Sequence, residues 1–401
     1  MTRRERVMTA LSFQQPDQLP KDLSGMASTG ISCFVYPKLV AALGLPPRLP
    51  RVFDTGQMLA LPDTDVLDAL DCDAVTVQGD ACTNAFEEPE RWHPYDFNGR
   101  LPARVMNPDA FKAQPDGSIL QGGWSTMVPD SYVFDSPHAG QVLNLDHELS
   151  KEDPVKLQKD LAAGLFTEEK VKSLQAYCRR ARESTDRAIM FTGFWAGLGF
   201  RGGMADFSIL CVSEPEYVRE IHEILTRHAI AQAELLLPVI APYVDVLMLS
   251  ADDQGTQNTT ILPPDVYGEL FAPYYRRLND ACHRLAPQVK TFYHCCGAVY
   301  GILDHVMAGG FDVLNPVQWS AGTPTYRQWK DKCRGRLALW GGGVNTQTTL
   351  PLGSLEAVRR EVSEVVPYLA QDSGYVFCAI HNLLAEIPPE KVIAMYRAAA
   401  R

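Results

Sequence analysis

The 401-residue sequence predicts an α/β protein, a (β/α)8 TIM barrel with an N-terminal elaboration. Three observations carry that prediction. From about residue 150 onward, short runs rich in β-branched and aromatic residues alternate with longer helical patterns, which is the signature of a parallel sheet. Seven or eight such units follow one another without a clean linker, and this favours a closed barrel over a doubly wound sheet. The residues just after the runs are polar or otherwise special, as expected where a barrel assembles its site at the C-terminal ends of its strands. The chain is therefore read as a single barrel unit over 1–401, with 1–150 holding the elaboration and first strand and 151–401 the main barrel.

In chain order, Thr2-Arg3-Arg4-Glu5 has capping-box spacing and Val7, Leu11 and Phe13 form an apolar stripe, so a helix opens the chain and ends before Pro16-Asp17. Ala74 to Val77 reads as the first barrel strand. Between about 85 and 150, seven prolines together with Asn98-Gly99 and Asp116-Gly117 predict hairpins and loops. The later strands are Arg187–Thr192, Val244–Ser250, Val289–Tyr293, Asp312–Asn315, Leu337–Trp340 and Tyr375–Ile380. Helical patterns cover Glu216–Leu237, Pro264–Leu285, Gly297–Ala308 and Ser354–Leu369. Gly197-Leu198-Gly199-Phe200-Arg201-Gly202 matches G-x-G-x-x-G, but no helix is expected to open on it and no acidic residue follows at dinucleotide-site spacing.

Composition narrows the function classes. Acidic residues outnumber basic ones 48 to 37, giving a net charge of -11, and Lys/Arg runs stop at pairs, which argues against a nucleic-acid partner. The N-terminus lacks the apolar stretch of a signal peptide, and no apolar run reaches the roughly 18 residues of a membrane span. These features predict a cytoplasmic protein whose ten scattered cysteines are reduced.

The strongest chemical signal is Tyr293-His294-Cys295-Cys296-Gly297 at a strand end. Residues i and i+2 share a face of a strand, so His294 and Cys296 point together while Cys295 points away. An imidazole and a thiolate on one face suit zinc. Cys378 is the best third ligand, with His381 competing three residues on; the alternative is a set of buried apolar cysteines around a core histidine. Asp252-Asp253 follow another run, as a general base, a ligand-orienting pair, a cation-binding pair, or helix caps. Phe194, Trp195, Trp319 and Trp340 are either pocket walls or core.

These residues in sequence resemble the uroporphyrinogen decarboxylase superfamily, specifically its corrinoid-dependent methyltransferase branch. The resemblance runs from Arg4-Glu5-Arg6-Val7 through Asp252 to Gln257, His294-Cys295-Cys296-Gly297, Asn315-Pro316-Val317-Gln318, Trp340-Gly341-Gly342 and His381-Asn382 to Pro388-Pro389-Glu390-Lys391-Val392. The stretch Asp22 to Ser28, where the decarboxylases carry arginines for a polycarboxylate tetrapyrrole, contains none. Two departures stand out: Asn345 replaces the Asp of many relatives, and not all of them share the Cys378-to-His381 run.

The resemblance implies a zinc-dependent methyltransferase moving a methyl group between a small methylated compound (methoxy, thioether or methylamine type) and the cobalt of a corrinoid on a partner protein. Zinc would sit on His294, Cys296 and Cys378. Asp252 and His381 would be catalytic, with Trp195, Asp253, Asn315, Gln318 and Trp340 binding substrate. No nucleic acid or membrane is expected as a partner, and a homodimer is the default assembly. The alternatives are a cofactor-free decarboxylase and a non-catalytic ligand-binding barrel.

Overall fold

A computed structural model describes residues 1–79, 82–135, 148–194 and 196–399. Seven parallel strands form one curled sheet: β1 (Ala74–Val77), β2 (Ala188–Phe191), β3 (Val246–Asp252), β4 (Lys290–Cys295), β5 (Val313–Asn315), β6 (Ala338–Trp340) and β7 (Tyr375–Val376). They pair in chain order, each with the next. The architecture is TIM-barrel-like, yet the ladder contains seven strands where eight were expected. The eighth place is held by Pro20–Asp22: Lys21 forms one parallel bridge to Phe377, and its carbonyl accepts from Asp73 N–H at 2.7 Å. Pro20 has no N–H to give to a ladder and Ser24 turns the chain at φ 65°, so this segment cannot lengthen into a strand.

Barrel-type packing explains which residues face inward. One buried cluster holds Ala74, Met190, Met248, Phe292, Val313, Trp340 and Val376 from successive strands, and helix Arg3–Leu11 closes its lower end with Val7 and Leu11. That helix has the expected capping box: Thr2 Oγ1 accepts from Glu5 N–H at 3.1 Å, and the Glu5 carboxylate accepts from Thr2 N–H at 2.8 Å. A second, larger cluster fills the space between the sheet and the helices outside it.

Three helices depart from expectation. The Pro264–Leu285 pattern breaks into Pro264–Leu270 and Ala272–Leu285, because Pro273 can neither donate to the Glu269 carbonyl nor avoid it. The Gly297–Ala308 pattern becomes a loop and short turn before helix Leu303–Ala308, since Gly297 takes φ 90°. A helix that was not expected, Met204–Ser213, does follow the glycines; it buries Phe207, Leu210 and Cys211 at i, i+3, i+4 spacing. The region after residue 85 forms the expected hairpins, with Asn98-Gly99 and Gly117 at positive φ between paired strands.

Candidate metal centre

A single irregularity in β3 decides which carboxylate reaches the cavity. The register runs Met248 opposite Phe292 and then Ser250 opposite Tyr293, so Leu249 is an extra residue. A one-residue bulge exchanges the two faces of every later position. Ala251 therefore pairs with the inward His294, whereas Asp252 pairs with the outward Cys295. Asp252 was expected to move a proton in the pocket; it lies instead behind the wall and lines neither cavity described below. Its buried carboxylate accepts from Tyr293 Oη at 2.9 Å, from Ser250 Oγ at 3.2 Å and from Tyr275 Oη. Burial raises its pKa to about 6 in spite of those donors. Asp253, one residue further, faces the cavity beside Cys296.

His294 and Cys296 share the inner face of β4, and Cys295 packs outward. His294 Nε2 lies 3.0 Å from Cys296 Sγ and 3.2 Å from Ser28 Oγ, while its Nδ1 lies 2.7 Å from Asn315 Oδ1. The Asn315 amide is itself oriented, since its nitrogen donates to the Trp340 carbonyl at 2.8 Å. Its oxygen must therefore accept, which places the His294 proton on Nδ1 and leaves the Nε2 lone pair facing the cavity. Burial first, then neighbouring His381, depresses the His294 pKa to about 4. Burial and the Asp253 carboxylate push the Cys296 thiol far up. Asn315, expected to bind substrate, is fully buried and acts on His294.

The third member of the group is His381. One donor atom from each of His294, Cys296 and His381 lies within 4.8 Å of the others. The group found among the described residues excludes Cys378, the expected ligand, and the end of the last strand supplies the reason. The ladder sets His294 level with Asn315, then Trp340 with Val376, so Cys378 is level with Cys296. The chain leaves the ladder after Val376, however, with only Phe377 still bridged, so the residues that follow keep neither the register nor the alternation of a strand. On that path His381 comes beside His294 and Cys296, while Cys378 stays packed in the inner cluster. There its sulfur lies in the buried interior beside Gly341, with its thiol pushed well up by burial and by Asp22.

Two cavities meet at this group, sharing Asp253, Cys296 and His381. The inner one, about 550 Å³, reaches Met26, Ser28, Gln57, Thr192 and Met248. The outer one, about 690 Å³, is walled by loops after β3 to β7, including Gln257, Gln318, Gln347 and Asn382. Gln318 takes the cavity position expected of it and accepts from Gly297 N–H at 2.8 Å. Trp340 does not: it is fully buried and donates from Nε1 to Asp22 at 2.9 Å. Trp195 lies outside the described residues. Ser28, Asp54, Gln57 and Asn382 enter the site without having been singled out for it; only Asn382, next to His381, carried a sequence signal. The others come from N-terminal turns where no periodicity points inward.

Comparison with known proteins follows the same pattern. The family model described as uroporphyrinogen decarboxylase (URO-D) matches residues 196–401. The uroporphyrinogen decarboxylase of Legionella pneumophila (strain Corby) is 24% identical over 212 residues, 50% of this chain and 57% of that protein. Its counterpart from strain Paris matches to the same extent, so the similarity spans little more than half the length of these curated relatives. Among solved structures, a methyltransferase from Methanosarcina mazei superposes with a TM-score of 0.57 at 15% identity, over 100% of this chain and 98% of that one. At that identity the likeness is one of fold.

Proposed function

This chain belongs to the uroporphyrinogen decarboxylase family, and we propose that within it the protein is a zinc-dependent methyltransferase. The proposed reaction moves a methyl group between a small methylated compound in the inner cavity and the cobalt of a corrinoid carried by a partner protein at the outer one. The observation that carries this reading is the His294–Cys296–His381 group at the junction of the two cavities.

The donor set fits zinc. Two imidazoles and one thiol with donor atoms within 4.8 Å of one another would provide three N/S ligands, the number a catalytic rather than a structural zinc takes from the protein. When bound, zinc would act as a Lewis acid, stabilising the negative charge left on the heteroatom that loses its methyl group. The chain's own residues do the rest. Asn315 holds His294 in the required tautomer. Asp253, which lines both cavities beside Cys296, would be placed to accept the thiol proton if that sulfur bound a metal. Gln318 fixes the backbone after Cys296, keeping the sulfur between the cavities. Met26 and Met248 give the inner cavity an apolar wall against water.

Decarboxylation of a polycarboxylate is the reading suggested by the relatives' names, and the lining opposes it. None of the described residues around either cavity is Lys or Arg, while Asp54, Asp253 and Glu386 are all acidic. The test joins metal analysis to turnover. The expected result is about one zinc per chain, lost in a His294→Ala/Cys296→Ala double variant, together with methylation of cob(I)alamin by a methylated donor. Undiminished zinc in the double variant, or release of coproporphyrinogen from uroporphyrinogen without methyl transfer, would overturn the proposal.

A further inference from the structure

His381 is wired in the same way as His294 but to a different part of the molecule. Its Nδ1 lies 2.8 Å from Asn382 Oδ1, and Asn382 Nδ2 donates to Gln57 Oε1 at 2.7 Å. Gln57 Nε2 in turn faces Asp54 Oδ2 at 3.4 Å, while Gln57 N–H donates to Asp54 Oδ1 at 2.8 Å. Each contact decides the next. A carboxylate oxygen accepts, so the nitrogen end of Gln57 faces Asp54 and its oxygen end faces Asn382. Asn382 must then present nitrogen to Gln57 and oxygen to His381. The imidazole proton is thereby placed on Nδ1, and Nε2 is left with a free lone pair for the cavity.

We propose that Asp54, Gln57 and Asn382 form a relay that holds His381 in its metal-binding orientation, making the N-terminal hairpin Val52–Ala60 part of the outer shell of the metal site. The inference rests on the reading of His294, Cys296 and His381 as ligands. What it adds is an asymmetry between the two histidines. Asn315 is anchored by a carbonyl of the barrel wall, so His294 is held by the sheet itself. Asn382 is anchored by a side chain on a turn, with Met58 at φ 53° next to it, and that turn belongs to a small antiparallel sheet outside the barrel ladder. One ligand is therefore set by the barrel, whereas the other is set by how the elaboration sits on it. Outer-shell partners of ligating histidines fix both tautomer and ring orientation, and their loss weakens metal binding by about 10- to 100-fold. All three are positioning residues; none needs to touch substrate.

The experiment uses the full chain, stripped of metal and titrated with Co(II) and with Zn(II), reading the dissociation constant and the visible bands of the cobalt form. Circular dichroism checks that each variant is folded. Asn382→Leu should weaken binding by about 10- to 100-fold and Gln57→Leu by about tenfold, with altered cobalt bands. Thr55→Ala is the control: it removes the hairpin's hydrogen bond from Gln121 without touching the relay, and should leave the constant and the spectrum unchanged. Wild-type binding and spectrum in Gln57→Leu would overturn the relay, as would equal weakening in Thr55→Ala, which would assign the effect to a loosened hairpin. Wild-type protein that takes up no tight equivalent of either metal would overturn the ligand reading itself, a separate outcome.

Discussion

Cys378 and His381 are three residues apart, and the structure sets His381, not Cys378, beside His294 and Cys296. Cys378→Ala should keep about one zinc per chain and cost about 1 kcal/mol of stability through lost apolar burial; His381→Ala should fall well below one zinc while remaining folded. Metal analysis of the two purified variants separates the assignments, and zinc lost from Cys378→Ala alone would return the sulfur to the ligand set. Asp252 gives a second prediction, read through pH. Its folded pKa of about 6 stands above the ordinary 3.8, so the folded state holds the proton more tightly than the unfolded chain. The stability this contributes is present at low pH and lost as pH rises from about 4 to about 6, amounting to about 2–3 kcal/mol. Asp22, also buried and also raised to about 6, titrates in the same direction. Asp252→Asn, whose amide the three surrounding hydroxyls can satisfy by rotating, should flatten part of the fall in melting temperature between pH 4 and pH 6. It should be no less stable than wild type at pH 7 and should retain turnover. A variant with an unchanged pH profile and turnover reduced a hundredfold would place Asp252 in the chemistry.

At the scale of elements, the strand-end loops are held by backbone contact. The loops after β3 and β4 touch through Gly255 and Gly297, and Gly255 N–H donates to the Cys296 carbonyl at 3.1 Å. A Cβ on Gly297 would meet Gly255 O at 2.1 Å, and the φ of 90° is itself one that favours glycine. Gly297→Ala should therefore cost at least about 2 kcal/mol in urea unfolding and move Cys296 away from the histidines; an unchanged midpoint would show that the loops part easily. The bulge at Leu249 belongs to this scale too. Alternation predicts strand β3 correctly, but nothing in Val246 to Asp253 marks where an extra residue enters. Asp252 and Asp253 are therefore indistinguishable in sequence although they end on opposite faces of the sheet.

For the whole molecule, the site joins two bodies of different character: the barrel supplies His294, Cys296 and His381, and the N-terminal elaboration supplies Ser28, Asp54 and Gln57. Metal binding to the folded state alone should stabilise the entire chain. With free zinc at about a hundred times its dissociation constant the gain is about 2.7 kcal/mol, visible as a rise in melting temperature that a chelator reverses and that His381→Ala lacks; an equal rise in that variant would place the bound metal elsewhere. The alternation of strands and helices, the capping box at Thr2, the turns at Asn98-Gly99 and Gly117, and the common face of His294 and Cys296 were all legible along the chain. Each depends on interactions a few residues apart, and no helix among the described residues is long and apolar enough to cross a membrane, as the hydropathy also indicated. What the sequence by itself determined is thus the class of fold and the candidates for chemistry. Only the tertiary structure placed Asp253 rather than Asp252 at the cavity, brought His381 rather than Cys378 beside His294 and Cys296, and buried Trp340 in the core. Those placements follow from a bulge, from where the last strand leaves the sheet and from the filling of the barrel interior. All three are properties of strands packed together, and no local run of residues encodes them.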